Sequence, residues 1–282
     1  MNIQESHKIE ASILMAISEF DAKRDSLINT LYSIAKQKTS FNFELCVVDD
    51  KSGIKIENLL NVFFKNNPNP NLKRIVVKTL EEKLGFTGAP AQAIKITSPE
   101  SQKMFILASD CVLLKETSIE KIINRLQTRK TIVLSEVAEV KNITYRFHKN
   151  FYENASKIIN QWQTHVMTKP LMVSRLNPHS WLFFAGAAFK KDLLSIDYDK
   201  VSCDAVLWQK MMPKDWSAEI ITSIPVAHQS HPRTAYPCPR VSECNFYCNR
   251  TAKLKNIPQP ALRKNADIIF ETPEEITTEL KL

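Results

Sequence analysis

Glycine is scarce in this sequence. Only 4 glycines occur among 282 residues, whereas an average chain of this length would contain about 20. The G-x-G-x-x-G fingerprint of dinucleotide-binding folds and the G-x-x-x-x-G-K-[ST] phosphate loop are both absent. Any nucleotide that this chain binds must therefore be held without a glycine-rich phosphate cradle.

Long apolar runs and a cysteine framework are absent as well. No apolar run reaches the length of a membrane-spanning helix, and the opening MNIQESHKIE lacks the apolar core of a signal peptide. The spacing of Cys238, Cys244 and Cys248 is not the C-x-x-C spacing of zinc sites. We therefore expect a cytoplasmic protein with reduced thiols and no transmembrane segment. The six cysteines are Cys46, Cys111, Cys203, Cys238, Cys244 and Cys248.

Basic side chains outnumber acidic ones, with 38 Lys and Arg against 30 Asp and Glu and a net charge of +8. This excess favours anionic partners such as nucleotides, and it leaves open a peripheral contact with an anionic membrane or a merely solvated basic surface. The sequence has no run of like charges typical of a nucleic-acid-binding arm. Its aromatic residues lie in apolar stripes rather than between Arg and Lys. We therefore expect no nucleic-acid partner.

Apolar strands alternate with amphipathic helices in the first half of the chain. The predicted strands cover residues 9–17, 43–48, 74–77 and 104–108, and the predicted helices cover 27–35, 56–64, 89–96 and a segment capped by Thr117 or Ser118. Gly85 and Gly88 are expected in a loop. The second half is predicted to contain strands 132–140, 181–189 and 220–227, the last broken by Pro225, and helices 151–166 and 205–212. Such alternation predicts an α/β fold with a mostly parallel central sheet flanked by helices.

Polar residues follow three of the predicted strands, where ligands of parallel sheets bind. These residues are Ser18 and Glu19, Asp49 and Asp50, and Ser109 and Asp110. A carboxylate of the Asp49-Asp50 pair can accept the imide N–H of a pyrimidine base, or it can cap the next helix. The Asp110 carboxylate offers the hard oxygen that Mg²⁺ or Mn²⁺ prefers, unless it belongs to an ordinary surface turn.

Two further positions have side chains that could take part in chemistry. His228 and His231 follow the predicted strand 220–227, and either imidazole could add a nitrogen ligand to such a metal or be an ordinary half-buried histidine. Asp204 opens the predicted helix 205–212. Its carboxylate could act as a general base for a hydroxyl nucleophile or as the N-cap of that helix.

Taken in order, these segments resemble the family 2 glycosyltransferases of the GT-A fold over residues 9–231. The resemblance is strongest in Ser33-Ile-Ala-Lys-Gln37, in Phe43-Glu-Leu45 and in the turn Asp49-Asp-Lys-Ser52. It is strong again in the segment GAAFKKDLL, residues 186–194. The Q-x-x-R-W signature of processive synthases is absent, which favours transfer of a single sugar.

The resemblance implies an inverting, non-processive hexosyltransferase. It would move one sugar from a nucleotide-sugar, for which we expect UDP, to a carbohydrate, glycolipid or glycoprotein acceptor. Asp50 would contact the base, Mn²⁺ or Mg²⁺ would bind Asp110 and His228, and Asp204 would be the catalytic base. The other residues expected around the nucleotide are Ala16, Ser18, Glu19, Asp49, Gly88 and Ser109.

The resemblance also implies a domain plan and leaves one alternative. Residues 1–231 would form a single GT-A-like domain, with a nucleotide-binding half (1–115) and an acceptor and catalytic half (116–231). Residues 232–282 would be a C-terminal extension, packed on the domain or partly mobile. Ala108 stands where the family has the first acidic residue of its D-x-D motif. This change favours the alternative of a GT-A-like module without turnover that binds a glycan or a protein partner.

Overall fold

The structure is a computed structural model. It describes residues 8–18, 25–141, 185–196, 198, 217–230 and 266–269. The predicted helices 151–166 and 205–212 lie outside the described residues, as do Glu19, Asp204 and His231.

The described chain contains nine strands and five helices. The strands are β1 (Ala11–Ser18), β2 (Phe43–Asp50), β3 (Leu72–Thr79), β4 (Lys103–Leu107), β5 (Cys111–Leu113), β6 (Thr131–Lys141), β7 (Gly186–Phe189), β8 (Ser217–Ser230) and β9 (Ala266–Ile269). The helices are α1 (Asp25–Ala35), α2 (Ile56–Asn66), α3 (Gly85–Lys95), α4 (Ser118–Arg125) and α5 (Lys190–Leu194). The predicted alternation of strands and helices in the first half is confirmed.

The described strands join in one mixed sheet. Its order is β3-β2-β1-β4-β7-β6-β8-β5, and β9 also pairs with β8. The pairs β1–β2, β1–β4, β2–β3, β6–β8 and β8–β9 are parallel, whereas β4–β7, β6–β7 and β5–β8 are antiparallel. The expected mostly parallel sheet is thus confirmed. The chain leaves β1 for β2 on one side and later returns to β4 on the other, which leaves a crevice where these strands end.

Both faces of the sheet are covered by apolar side chains. On one face, called here the α1 face, helices α1, α2 and α4 pack against alternate residues of β1 and β2 such as Met15 and Val47. On the opposite α3 face, helices α3 and α5 pack against the intervening residues such as Leu14 and Cys46. Burial on both faces explains why β1 and β2 are almost continuously apolar in sequence.

Two sequence-based boundaries are wrong. Gly85 and Gly88 belong to helix α3 rather than to a loop, and Gly85 begins the helix with a φ of 72°. Strand β8 continues through Pro225 instead of breaking, so His228 lies within the strand rather than after it. The β6–β8 register shifts between Ser135 and Val137, opposite the segment that contains Pro225. An irregularity of this kind tolerates a proline, which cannot donate a ladder hydrogen bond.

The predicted strand 181–189 and the C-terminal extension are partly described. Gly186–Phe189 forms β7, and Ala185 makes an isolated bridge to Leu107; residues 181–184 lie outside the described ranges. Ala266–Ile269 forms β9, which pairs with β8 along residues 218–221. This part of the extension therefore adds a strand to the sheet, while a domain boundary at residue 231 stays a prediction.

The Ser33…Gln37 motif has a structural role. The Gln37 side chain is buried, its Nε2 donates to the carbonyls of Ser33 and Lys115, and its Oε1 accepts the Ile119 N–H. Ser33 Oγ accepts the Leu113 N–H at 3.1 Å. The predicted cap of α4 is wrong in one respect: Thr117 makes no side-chain cap hydrogen bond. Gln37 supplies an acceptor to the first turn of α4 instead.

We expect Gln37→Met to lower the free energy of unfolding by about 2–4 kcal/mol, because three backbone groups, the Ser33 and Lys115 carbonyls and the Ile119 N–H, each lose a hydrogen bond. Chemical denaturation followed by circular dichroism measures this change. The matched control is Lys38→Met, since Lys38 is largely exposed and pairs with Glu116 at the surface, where an ion pair contributes about 1 kcal/mol at most. Equal unfolding midpoints for the two variants would contradict the role given to Gln37.

Candidate active site

Three strand ends meet at one edge of the sheet, called here the carboxyl edge. Ser18 at the end of β1 lies in register with Asp50 at the end of β2. Strand β4 runs parallel to β1 on its other side and ends at Leu107. The chain then turns through Ser109 and Asp110, and the Cys111 N–H donates to the Ala108 carbonyl at 3.0 Å. The structure therefore brings the predicted polar strand ends to the same edge.

The Asp50 carboxylate caps helix α3 across space. Asp50 is buried, its Oδ1 accepts the Leu84 N–H at 2.7 Å, and its Oδ2 accepts the Gly85 N–H at 2.9 Å. A negative charge at a helix N-terminus is stabilised by the helix dipole. A carboxylate can accept about four hydrogen bonds, so each oxygen of Asp50 can still accept a further donor from a ligand.

The neighbouring carboxylate, Asp49, shapes the turn after β2. Successive strand residues face opposite sides of a sheet, so Asp49 lies on the α1 face. Its Oδ1 accepts the Ser52 N–H at 2.7 Å, and its Oδ2 lies 3.4 Å from the Thr79 hydroxyl. Helix α2, which follows, has Lys55 as N-cap without a side-chain cap bond. The alternative that one of the two carboxylates caps the next helix is thus wrong, because Asp50 caps α3 instead.

Ser18 is the β1 residue that pairs with Asp50, and Ala16 lies two residues before it. Both lie on the α3 face. Gly88 lies one turn into α3, and a Cβ built on it would come within 2.9 Å of Leu84 Cβ. The glycine thus lets the first turn of α3 close tightly on Leu84, the residue whose N–H Asp50 accepts. The structure places these predicted nucleotide-binding residues around one corner of the carboxyl edge.

Antiparallel pairing of two strands that are distant in sequence brings the predicted metal ligands together. Strand β5 pairs antiparallel with β8, and Cys111 lies opposite His228. His228 Nε2 lies 3.2 Å from Asp110 Oδ2. The Asp110 side chain is 20% exposed and that of His228 is 9% exposed, so a ligand can reach the carboxylate. Ser109, in the same turn, is buried.

Two cysteine thiols near these elements are unsuited to nucleophilic chemistry. Cys46 and Cys111 are free and buried. Burial, together with the charge of Asp110, raises the pKa of the Cys111 thiol well above its usual range. Burial and the nearby Glu44 carboxylate likewise raise the pKa of the Cys46 thiol. Both thiols therefore stay neutral.

The donor set at Asp110 suits a shared metal rather than a closed protein site. Across the described parts of the chain, no group of three or more His, Cys, Asp and Glu side chains is arranged to hold a metal ion. Asp110 and His228 supply one carboxylate and one imidazole. Mg²⁺ and Mn²⁺ accept such ligands and commonly complete their shell with phosphate oxygens and water. The residues present thus fit a divalent ion that is bound together with a phosphorylated ligand.

A mixed sheet flanked by helices, with Asp49 and Asp50 at the end of β2 and Asp110 just after β4, is the arrangement of a GT-A fold. The sequence profile named Glycosyl transferase family 2 matches residues 17–195. This chain therefore belongs to glycosyl transferase family 2. No curated protein sequence matches it at a significant level. In the described ranges, no helix combines the length and apolar character that crossing a membrane requires.

Solved structures of glycosyltransferases are similar to this chain. The mannosyltransferase PcManGT from Pyrobaculum calidifontis, in complex with GDP-Man and Mn²⁺, has a TM-score of 0.53 and 13% identity over 81% of this chain and 59% of its own. GalNAc-T7 with UDP, GalNAc and Mn²⁺ has a TM-score of 0.54 and 11% identity over 81% of this chain and 45% of its own.

A third similar structure is that of TarS residues 1–349 from S. aureus with UDP. It has 22% identity and a TM-score of 0.37 over 49% of this chain and 38% of its own. The chain spans less than two thirds of the length of each of the three proteins. At 13% and 11% identity, the likeness to PcManGT and GalNAc-T7 concerns the fold.

Proposed function

We propose that this chain is an inverting, non-processive glycosyltransferase that moves one sugar from a UDP-linked donor to an acceptor hydroxyl. The observation that carries the proposal is the placement of Asp50 and of the Asp110–His228 pair at the same edge of a GT-A sheet. Family membership supports the reaction class. Structures of similar proteins with GDP-Man or UDP support a nucleotide-sugar donor.

In this proposal Asp50 recognises the base. Each of its oxygens already accepts one backbone N–H from α3, which fixes the carboxylate in place. A fixed carboxylate acceptor suits the imide N–H of uracil, and a hydrogen bond to a charged acceptor contributes about 1.5–3 kcal/mol. Ala16 and Ser18, on the same sheet face, would lie beside the nucleotide together with Gly88.

Asp110 and His228 would hold the divalent metal. Mn²⁺ or Mg²⁺ bound there would act as a Lewis acid that neutralises the charge of the leaving diphosphate. The chain's own part is to orient the ligands: β8 holds His228 in register with Cys111, and the turn after β4 aims Asp110 at the imidazole. Ser109 would contribute to the same nucleotide pocket.

Asp204, which lies outside the described residues, is proposed as the general base on the family resemblance. Its carboxylate would take the proton of the acceptor hydroxyl. The hydroxyl oxygen would form the new bond to the anomeric carbon as the bond to the diphosphate oxygen breaks on the opposite side. A single displacement of this kind inverts the configuration and needs no protein nucleophile.

Replacing Asp50 with alanine is expected to weaken UDP binding about 10- to 100-fold, because a charged hydrogen bond is lost. Isothermal titration calorimetry in the presence of Mn²⁺ measures this affinity. The same substitution also removes the cap of α3, so a chemical control separates the two effects. N3-methyl-UDP lacks the imide N–H that Asp50 is proposed to accept.

The wild-type protein should therefore bind UDP much more tightly than N3-methyl-UDP, whereas Asp50→Ala should bind the two ligands about equally. If the substitution only loosened helix α3, the affinities for both ligands would fall by the same factor. Wild-type protein that binds N3-methyl-UDP as tightly as UDP would exclude base recognition by Asp50.

Metal and nucleotide are expected to bind together. One carboxylate and one imidazole are too few ligands for a tight site made by protein alone, so phosphate oxygens must complete the shell. Calorimetric titration should show weak Mn²⁺ binding to the protein alone and much tighter binding in saturating UDP. Micromolar Mn²⁺ binding that does not depend on UDP would contradict this shared site.

The presence of Ala108 where the family has an acidic residue favours a second candidate function, a GT-A-like module that binds a glycan or protein without turnover. Both candidates can bind UDP. They differ in whether nucleotide is released from a UDP-sugar, so a screen of UDP-sugars that quantifies free UDP decides between them.

A further inference from the structure

A second carboxylate is buried in β2, at the opposite end of the strand from Asp50. The Glu44 side chain is fully buried, and its Oε1 accepts the Ser98 N–H at 2.7 Å and the Ser12 hydroxyl at 2.6 Å. Its Oε2 accepts a hydrogen bond from Arg74 Nη1 at 2.8 Å. The proposed chemistry uses none of these groups.

Glu44 and Asp50 hold the two ends of helix α3. They lie six positions apart in β2, on the same face, which corresponds to about 20 Å of strand. Helix α3 has 11 residues and is about 16 Å long. Asp50 binds the N–H groups of Leu84 and Gly85 at its start, and Glu44 binds the N–H of Ser98 just beyond its end.

Helix α3 depends on such external contacts. It contains Pro90, which removes one helical hydrogen bond, and two glycines, which are poor helix formers. Its N-cap residue, Leu84, makes no side-chain cap bond. The helix packs on the sheet through two alanines, Ala89 and Ala93, and one larger side chain, Ile94. The alanines allow a close approach, and Ile94 is the single large side chain of the helix in this cluster, so contacts at the helix ends help to fix its position along its axis.

We infer that Glu44 is a positioning residue for the donor site and acts through α3. By fixing the Ser98 end, it sets the axial position of the helix, and with it the Leu84 and Gly85 N–H groups that orient the Asp50 carboxylate. The inference about the helix stands on the contacts above. Its consequence for nucleotide affinity rests on the proposed function.

The pairing with Arg74 provides a matched control. The Arg74 side chain is 43% exposed and bonds to Glu44 but not to α3. Removing it leaves a buried charge unpaired, which destabilises a protein, yet the Glu44–Ser98 bond can remain. Arg74→Met therefore lowers stability and leaves the acceptor of the Ser98 N–H in place, whereas Glu44→Met removes that acceptor and leaves Ser98 with the Lys190 Nζ contact to its carbonyl at 3.0 Å. Glu44→Gln keeps an oxygen that can accept the Ser98 N–H.

Hydrogen exchange of backbone amides measures how firmly the start of helix α3 is held, and it requires no nucleotide. The amides of Leu84 and Gly85 are compared with that of Val47, which lies in the middle of β2 and reports on opening of the core. In Glu44→Met we expect Leu84 and Gly85 to exchange at least 10-fold faster relative to Val47, and UDP to bind about 5- to 10-fold more weakly. In Arg74→Met the three amides should accelerate together, and UDP affinity should not change. Glu44→Gln should restore the wild-type exchange ratio and affinity.

In Glu44→Met, the amides of Leu84 and Gly85 could instead accelerate by the same factor as that of Val47, as expected for Arg74→Met. This result would overturn the inference and leave Glu44 a purely structural residue. If Glu44→Met does not fold, Glu44→Asp gives the same comparison, because it keeps the charge but is one methylene too short for the Ser98 contact. Wild-type protein that fails to bind UDP would refute the proposed function, while the exchange ratios would still decide the role of Glu44.

Discussion

Asp204→Asn is expected to lower turnover by about 10²- to 10⁴-fold, the usual contribution of a positioned general base. Asparagine has nearly the size of aspartate but cannot take the acceptor proton at neutral pH. UDP affinity and the melting temperature should stay nearly constant. Asparagine is as good an N-cap as aspartate, so a residue that only capped the predicted helix 205–212 would tolerate this change.

Steady-state release of UDP in the presence of an acceptor measures the effect. Asp204→Ala is the matched variant: it should lose the same activity and also about 1 kcal/mol of stability if the side chain caps a helix. Wild-type turnover in Asp204→Asn would place the base at another residue. It would also show that the family resemblance is misaligned in the second half of the chain.

Asp110→Asn is expected to reduce kcat by about 10²- to 10³-fold. A metal that neutralises a leaving diphosphate contributes several kcal/mol of transition-state stabilisation, and each 1.36 kcal/mol corresponds to about a factor of ten in rate. Asp110 is the carboxylate that contacts His228, and a neutral amide oxygen is a much weaker ligand for Mn²⁺. The Mn²⁺ concentration for half-maximal activity should rise in the same variant.

Ala108, which stands where the family has an acidic residue, allows a test in which metal binding is strengthened rather than weakened. Ala108 is partly buried and lies directly before Ser109 and Asp110. Ala108→Asp adds a second carboxylate and should tighten Mn²⁺ binding in saturating UDP. Ala108→Asn has the same size without the charge and should not tighten Mn²⁺ binding.

For Asp110→Asn, a kcat within about threefold of the wild-type value, an effect under 1 kcal/mol, would contradict metal assistance at Asp110.

The first half of the fold was predictable because its signals are local. Buried strands such as β2 read as apolar runs, and α1 shows its buried face at helical spacing through Leu27, Leu31 and Ile34. Helix α3 was missed at its start because Gly85, Gly88 and Pro90 are typical of loops. Carboxylates of another element, Asp50 and Glu44, bind the backbone at its two ends, and no local pattern predicts those contacts.

The partners of the site residues were not predictable from spacing. Asp50 caps a helix 34 and 35 positions further along the chain, so its donors cannot be read from its neighbours. Glu44 was visible as a lone charge in an apolar strand, but its contact with Ser98 depends on the packing of α3. His228 was expected after a strand, since Pro225 is typical of a strand end. The Asp110–His228 contact follows from the β5–β8 pairing, which was not predicted.

The proposed function requires this chain to release UDP from a UDP-linked sugar at the carboxyl edge of its sheet. The most direct measurement is a screen of UDP-sugars with Mn²⁺ that quantifies free UDP, run with the wild-type protein and with Asp110→Asn. We expect UDP release from at least one donor by the wild-type protein and at least 100-fold less by the variant. Folded wild-type protein that binds UDP but releases none from any donor would contradict the claim and support a binding module without turnover.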